Sequence, residues 1–351
     1  MRPATRAALR HVLTHLLTPL LMCVGMGLAY LGAFADPTPH ELPVAVVGSG
    51  PSAERLAGAI GERAGDKLSV HTVADRAEAV RELKDQDVFG AYVPDRRAPE
   101  LLIASAGSDT TASAVQKVFT PVAARQNAPL KVTDVVPPSE GDPTGQGIFF
   151  LLVALSIGSY ASVAVIGGAG GALALRIRAV LAAATSLVVS VIGVVLAGPV
   201  FNLVDHGLWG LWGLAWLYSA GVLFVGTGLH TFLKRWTTLG VMVLFVMLNF
   251  TSAGGVFRPE LQNGFFAGLH GFWNGAGFVE GTRSLVYFGH SGLGGHVATL
   301  LVWLAVGLVV LGAAWAVERR RGARAAASGA PAAGSGAGPD AEEEMEEAVG
   351  V

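Results

Sequence analysis

Long apolar runs that are almost free of charge divide this chain of 351 residues. Each run approaches or exceeds the roughly 20 apolar residues with which a helix crosses the bilayer core. The runs lie at 16–34, 148–173, 179–201, 209–232, 237–257 and 297–317. The pattern therefore predicts six membrane-spanning helices, and it makes the lipid bilayer the first expected partner.

Basic residues stand beside alternate ends of these runs and set their expected direction. They are Arg2, Arg6 and Arg10, then Arg176 and Arg178, then Lys234 and Arg235, then Arg319, Arg320 and Arg321. Cytoplasmic connections of membrane proteins carry such an excess of Lys and Arg. The sequence therefore predicts a multi-pass protein of the cell membrane, with both termini in the cytoplasm and residues 36–146 outside the cell.

The segment between the first and second apolar runs follows a different pattern. Short β-rich runs alternate there with segments of helical periodicity, which is typical of an α/β domain with a mostly parallel sheet. Strands are predicted at 42–47, 68–73, 88–93, 101–104 and 130–136, and helices at 53–63, 76–84 and 110–125. The predicted fold is thus a membrane all-α bundle of six transmembrane helices with an inserted extracellular α/β domain.

This pattern divides the chain into four parts. Residues 1–35 form the cytoplasmic N-terminus and the first transmembrane helix, and 36–146 form the extracellular α/β domain. Residues 147–318 form a five-helix transmembrane region with an outer helical loop at 258–296. Residues 319–351 read as a disordered cytoplasmic tail, because beyond Arg324 the sequence is rich in Ala, Gly, Ser and Pro and ends in an acidic run.

The predicted outer loop contains two short aromatic-rich helices, at 259–269 and 275–288. Segments of this kind lie at the membrane interface. Two interpretations stay open for them. They form either a lid that packs on the bundle or the outer rim of a lateral path for an amphipathic substrate.

Composition agrees with a membrane protein and excludes some partners. Hydrophobic residues make up 52% of the chain, charged residues 14%, and the mean hydropathy is +0.53. Soluble domains carry about 25% charged residues. The net charge of −2, with no basic domain, argues against nucleic acid. A single cysteine, Cys23, can form neither a disulfide framework nor a thiolate metal site.

Sequence motifs for catalysis are missing. No lysine follows a glycine, so a Walker A loop is absent, and neither H-E-x-x-H nor G-x-S-x-G occurs. The strand-to-helix turn Gly48-Ser49-Gly50 lacks the third glycine of a dinucleotide fingerprint, since position 53 is Ala. His290 and His296 give little support to a metal site. We therefore expect no catalytic residue, no cofactor and no metal, and we do not expect an enzyme.

Polar groups at membrane depth are few in the predicted spans. Asn249 lies near the outer end of the fifth span and His230 near the inner end of the fourth. Such residues are often functional, although hydrogen bonds between helices explain them as well. No span has a carboxylate at its middle, which argues against transport coupled to protons or ions.

Several short motifs resemble those of the membrane subunits of type-2 ABC exporters, most closely the phage-infection-protein (YhgE/Pip-like) branch of Gram-positive bacteria. The motifs are Phe-Gly-Ala-Tyr-Val-Pro at 89–94, Ala-Ser-Ala-Gly at 104–107, Asp-Val-Val-Pro at 134–137, Gly-Asp-Pro-Thr-Gly at 141–145, Ser-Ala-Gly-Gly at 252–255, Pro-Glu at 259–260, Gly-Thr-Arg at 281–283 and Tyr-Phe at 287–288. The resemblance covers about 1–318. Two departures are Asn263 and Asn274, where the family usually has proline, and a third is the very short inner turn around Arg176.

The resemblance implies a permease-like subunit that exports an amphipathic or lipid-like molecule. It implies a separate ATP-binding cassette subunit, and a homodimer or a heterodimer with a similar permease. The candidate family-motif or pathway residues are Asp142, Pro143, Asn249, Gly254, Gly255, Pro259 and Arg283. The rival hypothesis is a membrane-anchored envelope receptor or secretion scaffold that acts through its extracellular domain.

The first predicted span has an alternative interpretation as a signal peptide, because Ala33-Phe34-Ala35 before Asp36 matches an A-x-A cleavage site. Its apolar stretch is longer than the usual h-region of about 7–15 residues, which favours an uncleaved anchor. We expect N-terminal sequencing of the purified protein to find residues that precede Asp36. A mature chain that begins at Asp36 would refute the six-span prediction.

Overall fold

The computed structural model describes residues 3–125 and 128–327. The α/β domain contains β1 (Leu42–Val47), α2 (Pro51–Ala64), β2 (Leu68–Val73), α3 (Arg76–Asp85), β3 (Ala91–Val93), β4 (Glu100–Ile103), α4 (Asp109–Ala124) and β5 (Lys131–Asp134). The other helices are α1 (Pro3–Phe34), α5 (Gly147–Gly167), α6 (Leu175–Val195), α7 (Leu208–Leu233), α8 (Thr237–Met242), α9 (Leu248–Ser252), α10 (Gly264–His270), α11 (Asn274–Val286) and α12 (Leu293–Ala327).

The predicted α/β sheet is present, and it is mixed. Its strand order is β2-β1-β3-β4-β5. Strand β1 is parallel to β2 and β3, and β4 is parallel to β5, whereas β3 and β4 are antiparallel. Only residues 94–99 join β3 to β4, and so short a connection makes a hairpin because a parallel pair needs a long crossover.

Both faces of the sheet are covered by helices. Leu42, Val44 and Val46 face the side that packs against α2 and α4, and Ala45 and Val47 face the side of α3. A strand that is buried on both faces reads as a continuous apolar run, which is why β1 is uniformly hydrophobic. The domain therefore has its own core on each side of the sheet.

Four helices are long and apolar enough to cross a membrane, which is compatible with a membrane protein. They are Gly147–Gly167, Leu175–Val200, Leu208–Leu233 and Leu293–Arg324. The first and fifth predicted spans coincide with shorter apolar helical segments of 10–17 residues. These are Pro19–Phe34, which is the second half of α1, and Thr237–Ser252, which runs from α8 to α9. The fifth contains a π-helical turn at Val243–Met247 and ends five residues before the predicted boundary at 257.

Among the predicted boundaries that differ from those in the structure are the ends of two helices of the bundle. The second span was expected to reach 173, but α5 ends at Gly167 and the following glycines form a turn. The tail was expected to begin at 319, but α12 continues to Ala327. The predicted disorder of the rest of the tail, 328–351, lies outside the described residues.

Helix α7 is central to the bundle, since it packs against α5, α6, α11 and α12. Glycines allow it to approach α12 closely. A Cβ atom on Gly228 would lie 2.7 Å from Val310 Cγ1, and one on Gly307 would lie 2.8 Å from Phe224 Cβ. Small residues have this role at helix interfaces in membranes.

The glycine contact between α7 and α12 gives a testable prediction. Gly307→Leu should lower the stability of the bundle by about 1–3 kcal/mol, because the larger side chain has to separate the helices. Gly312→Leu on the same helix is the matched control, since a Cβ there meets nothing within 4 Å. Chemical unfolding in detergent measures both variants, and equal stability for the two would contradict the packing described.

Candidate functional site

A buried ion network occupies the segment 253–292, which connects α9 to α12. Its members are Arg258, Glu280 and Arg283, whose exposed fractions are 7%, 2% and 1%. Glu280 Oε1 accepts a hydrogen bond from Arg283 Nη1 at 2.9 Å, and Glu280 Oε2 accepts one from Arg258 Nη1 at 3.1 Å. Helix α11 supplies Glu280 and Arg283 from adjacent turns, so the carboxylate lies between two guanidinium groups.

The two arginines keep Glu280 ionised despite its burial. Burial by itself raises the pKa of this carboxyl group, but the attraction of Arg258 and Arg283 outweighs it and lowers the pKa to about 2. Partly buried His270 lies nearby with its Nδ1 2.9 Å from Ser252 O, and this burial lowers its pKa. The network is therefore a set of compensated charges, and the loss of Glu280 would remove the carboxylate that both buried arginines share.

Gly254 and Gly255, two of the candidate residues, contact this network through their carbonyl groups. Arg283 Nη1 donates to Gly254 O at 2.8 Å, and Arg283 Nη2 lies 3.5 Å from Gly255 O. Gly254 has a φ of +74°, which favours glycine, and a Cβ on Gly255 would overlap the ring of Phe149. Both positions thus require glycine for the carbonyl groups to reach Arg283.

Arg258 joins the network to the α/β domain. Its Nη1 atom also donates to Gln86 Oε1 at 3.2 Å, and its guanidinium carbon lies 4.5 Å from the ring centroid of Phe89. Close by, Thr110 Oγ1 donates to Val256 O at 2.8 Å. One side chain therefore contacts both the inserted domain and helix α11.

A second junction joins two of the motif segments. Phe288 packs in an apolar cluster with Ala106 and Val136 of the α/β domain. A Cβ on Gly107 would lie 3.3 Å from Phe288 Cζ, so the ring lies directly over this turn. The motifs at 104–107 and 287–288 are thus in contact in the fold.

Asp142 caps the start of α5. Its carboxylate accepts from Gly147 N at 2.7 Å and from Gln146 N at 3.1 Å. Burial raises the pKa of Asp142, while these hydrogen bonds and the more distant charge of Arg283 act in the opposite direction. Pro143 is exposed in the same turn. Of this predicted pair, Asp142 is the residue whose charge interacts with Arg283 of the network.

Asn249 belongs to a buried polar group inside the bundle. Its Nδ2 atom donates to the Tyr218 hydroxyl at 2.8 Å, and that hydroxyl lies 2.5 Å from Ser156 Oγ. A Cβ on Gly275 would overlap the Asn249 amide, so α9 and α11 touch at this point. The interpretation of Asn249 as a hydrogen bond between helices agrees with this geometry.

Asn263 and Asn274 both make hydrogen bonds at the start of a helix. Asn263 Oδ1 accepts from the amides of Phe265 and Phe266, which is why α10 starts at Gly264 and not at the predicted 259. Asn274 Nδ2 lies 3.3 Å from Tyr218 O, which fixes the start of α11. Pro259 begins a short 3₁₀ turn that precedes Asn263.

At the opposite end of the bundle, a second ion pair joins three helices. Arg178 of α6 pairs with Glu318 of α12, and Thr231 of α7 donates to the same carboxylate at 3.0 Å. His230 lies against α5, because a Cβ on Gly167 would lie 2.7 Å from its Nδ1 atom. His230 of α7 therefore packs against α5.

One signal for the ion network is present in the charge pattern of the sequence. Arg258, Glu260, Glu280 and Arg283 are the charged residues of a loop that is otherwise apolar and aromatic. Because the two signs occur in equal numbers, the loop carries no net charge. A balanced set of charges among many aromatic residues also predicts mutual pairing, because unpaired charges rarely persist in apolar surroundings.

Glu280→Gln gives a testable prediction for the network. Loss of the carboxylate leaves buried Arg283 without its anion and leaves Arg258 with only the longer contact to Glu260, so unfolding free energy should fall by about 3–5 kcal/mol. Glu54→Gln, an exposed position on α2, is the matched control and should change stability by less than about 0.5 kcal/mol. Denaturant unfolding of the purified protein measures both, and a similar small effect for the two would contradict the role given to Glu280.

The same variant predicts a pH dependence. Folding lowers the pKa of Glu280 from 4.5 to about 2, so its stabilising effect is complete above about pH 4.5 and is lost as the pH falls towards 2. The stability difference between the unmodified protein and Glu280→Gln should therefore be constant down to about pH 5 and shrink below that. A difference that shrinks between about pH 7 and 5 would be inconsistent with a lowered pKa.

Within residues 3–125 and 128–327, no group of three or more His, Cys, Asp and Glu side chains could hold a metal ion. No known protein family, no curated protein and no solved structure matches this chain.

Proposed function

We propose that this chain is a permease-like membrane subunit of an ABC-type export system for an amphipathic or lipid-like substrate. In this proposal six helices cross the cell membrane, the α/β domain lies outside the cell and both termini lie in the cytoplasm. The observation that carries it is the buried ion network. Through Arg258 and Glu280 it joins the inserted domain to a helical segment that is packed on the bundle.

The proposed direction in the membrane is supported by the charges at the two ends of the bundle. Arg176, Lys234 and Arg319 are exposed at the end that is opposite the α/β domain. At the domain end, Arg258 and Arg283 are buried and paired with carboxylates. Because exposed Lys and Arg favour the cytoplasmic side, the α/β domain is assigned to the outside.

The proposal requires two kinds of partner. ATP hydrolysis would come from a separate ATP-binding cassette subunit, since the chain lacks a Walker A sequence. A second permease, identical or similar, would pack on the exposed apolar faces that α6 and α12 present. These faces include Val188 and Ile192 on α6, and Val302 and Val309 on α12.

Two experiments test the export function. Affinity purification from the native host should recover an ATP-binding cassette protein together with this chain. Liposomes that contain both should move a fluorescent phospholipid analogue only when ATP is supplied, and the Walker A lysine-to-alanine form of the partner is the control. Equal movement by this chain alone, with no ATPase present, would refute the ABC assignment.

A receptor or secretion scaffold is the alternative, and one observation favours it. The α/β domain has a hydrophobic core on each side of its sheet. It therefore has the core of an independent domain, as a domain that binds a ligand outside the cell would need. Deletion of 40–140 separates the two functions. Loss of ligand binding with efflux retained supports the receptor, whereas loss of ATP-dependent efflux supports the exporter.

A further inference from the structure

Exposed basic residues collect at the end of the bundle that is opposite the α/β domain. They come from three helices, because Arg176 belongs to α6, Lys234 follows α7 directly, and the other four are arginines of α12. We call this set the basic cluster. All six members are exposed, and they are Arg176, Lys234, Arg319, Arg320, Arg321 and Arg324.

One junction brings these three helix ends together. Glu318 of α12 accepts hydrogen bonds from Arg178 of α6 and from Thr231 of α7, the latter at 3.0 Å. Leu175 of α6 also packs with Leu311 of α12. Each helix has a member of the basic cluster within three residues of its junction residue. The six charges therefore surround one point of the fold.

No carboxylate balances the basic cluster within the described part of the chain. Glu318 is the only carboxylate that residues 3–125 and 128–327 place at this end, and it pairs with Arg178. None of the ion pairs formed among those residues includes a member of the cluster. The cluster is therefore a surface of positive potential that attracts an anionic partner.

The basic cluster begins where the apolar part of α12 ends. No Asp, Glu, Lys or Arg occurs between Arg283 and Glu318. Residues 297–317 extend over about 31 Å at 1.5 Å per residue, which matches a hydrocarbon core of about 30 Å. The guanidinium carbon of Arg319 lies 5.1 Å from the ring centroid of exposed Trp315. Because tryptophan is enriched at membrane–water interfaces, a bilayer crossed by α12 has its headgroups at the level of Arg319.

Two properties of this surface select the chemistry of its partner. Five of the six members are arginines, whose planar guanidinium groups match the oxygens of a phosphate at two points. Apolar side chains continue directly from the charges. Val180 lies one turn after Arg176, Leu308 lies three turns before Arg319 on the same face of α12, and both are exposed. The partner that fits both properties joins a phosphate to hydrocarbon, whereas an acidic peptide fits only the charge.

We propose that the basic cluster binds the headgroup phosphate of an anionic phospholipid. The arginines donate hydrogen bonds to the phosphate oxygens, and the acyl chains lie along the exposed apolar faces of α6 and α12. A zwitterionic phospholipid binds more weakly, because its own cationic group is repelled by the cluster. This site goes beyond the proposed export function, since it needs only that this end of the bundle meets one face of a membrane.

Exposed arginines elsewhere in the chain provide a matched control. The cluster variant combines three substitutions on α12, which are Arg319→Gln, Arg320→Gln and Arg321→Gln. The control variant combines three substitutions at exposed positions of α2 and α3, which are Arg55→Gln, Arg63→Gln and Arg81→Gln. Both variants lose three positive charges, so a difference between them reports the position of the charges and not the net charge.

The test uses the full chain purified in detergent, with equal amounts of phosphatidylglycerol and phosphatidylcholine that carry the same acyl chains. Native mass spectrometry counts the lipids of each kind that stay bound. The unmodified protein should retain phosphatidylglycerol in preference to phosphatidylcholine. The cluster variant should retain roughly tenfold less phosphatidylglycerol, Arg176→Gln roughly threefold less, and the control variant as much as the unmodified protein.

Four outcomes would overturn the inference. Equal retention of the two lipids by the unmodified protein would exclude the headgroup charge as the recognised feature. Equal loss in the cluster and control variants would mean that only net charge counts. Unchanged retention in the cluster variant would exclude this surface. A severalfold gain on replacing the six carboxylates of 340–347 with amides would mean that this acidic run occupies the cluster in place of lipid. None of these outcomes decides whether export depends on ATP.

Discussion

The Glu280 carboxylate, buried between two guanidinium groups, is the interaction on which the surrounding arrangement depends. Arg283 needs this anion in order to be buried, and its terminal nitrogens also donate to the carbonyl groups of Gly254 and Gly255. Arg258 needs the same anion and extends from it to Gln86 of the α/β domain. Because buried charges require full compensation, this set fixes the segment 253–292 relative to both the bundle and the domain.

The short fifth helix is explained by the same network. It ends at Ser252, and Gly254 with its positive φ turns the chain so that two carbonyl groups face Arg283. A longer helix would use those carbonyl groups within its own backbone. The π-helical turn at Val243–Met247, earlier in the same helix, also contains a carbonyl group that bonds to the connecting segment. Leu244 O accepts a hydrogen bond from Trp273 Nε1 at 3.1 Å. At both places the fifth helix departs from regular α-helix where its carbonyl groups accept hydrogen bonds from the segment 253–292.

Sequence patterns predicted the elements of this fold better than their contacts. The β1 strand was predicted with its observed bounds, because an apolar β-rich run before a Gly-Ser-Gly turn has few other interpretations. The end of α5 at Gly167 was not predicted, since hydropathy does not distinguish a helical glycine from one in a turn. The pairing of Asn249 with Tyr218 was also beyond reach, because periodicity identifies a buried face but not the partner helix. Six spans and the export function stay proposals.

Arg258 is the side chain that joins three parts of the structure. It contacts Glu260 at 3.5 Å, Glu280 at 3.1 Å and Gln86 at 3.2 Å, so it has partners in the turn before α10, in α11 and in the α/β domain. A change in the position of any one partner alters the contacts that Arg258 makes with the other two. The packing of α11 and the position of the α/β domain are thereby linked through one side chain, and linkage of this kind acts equally in both directions.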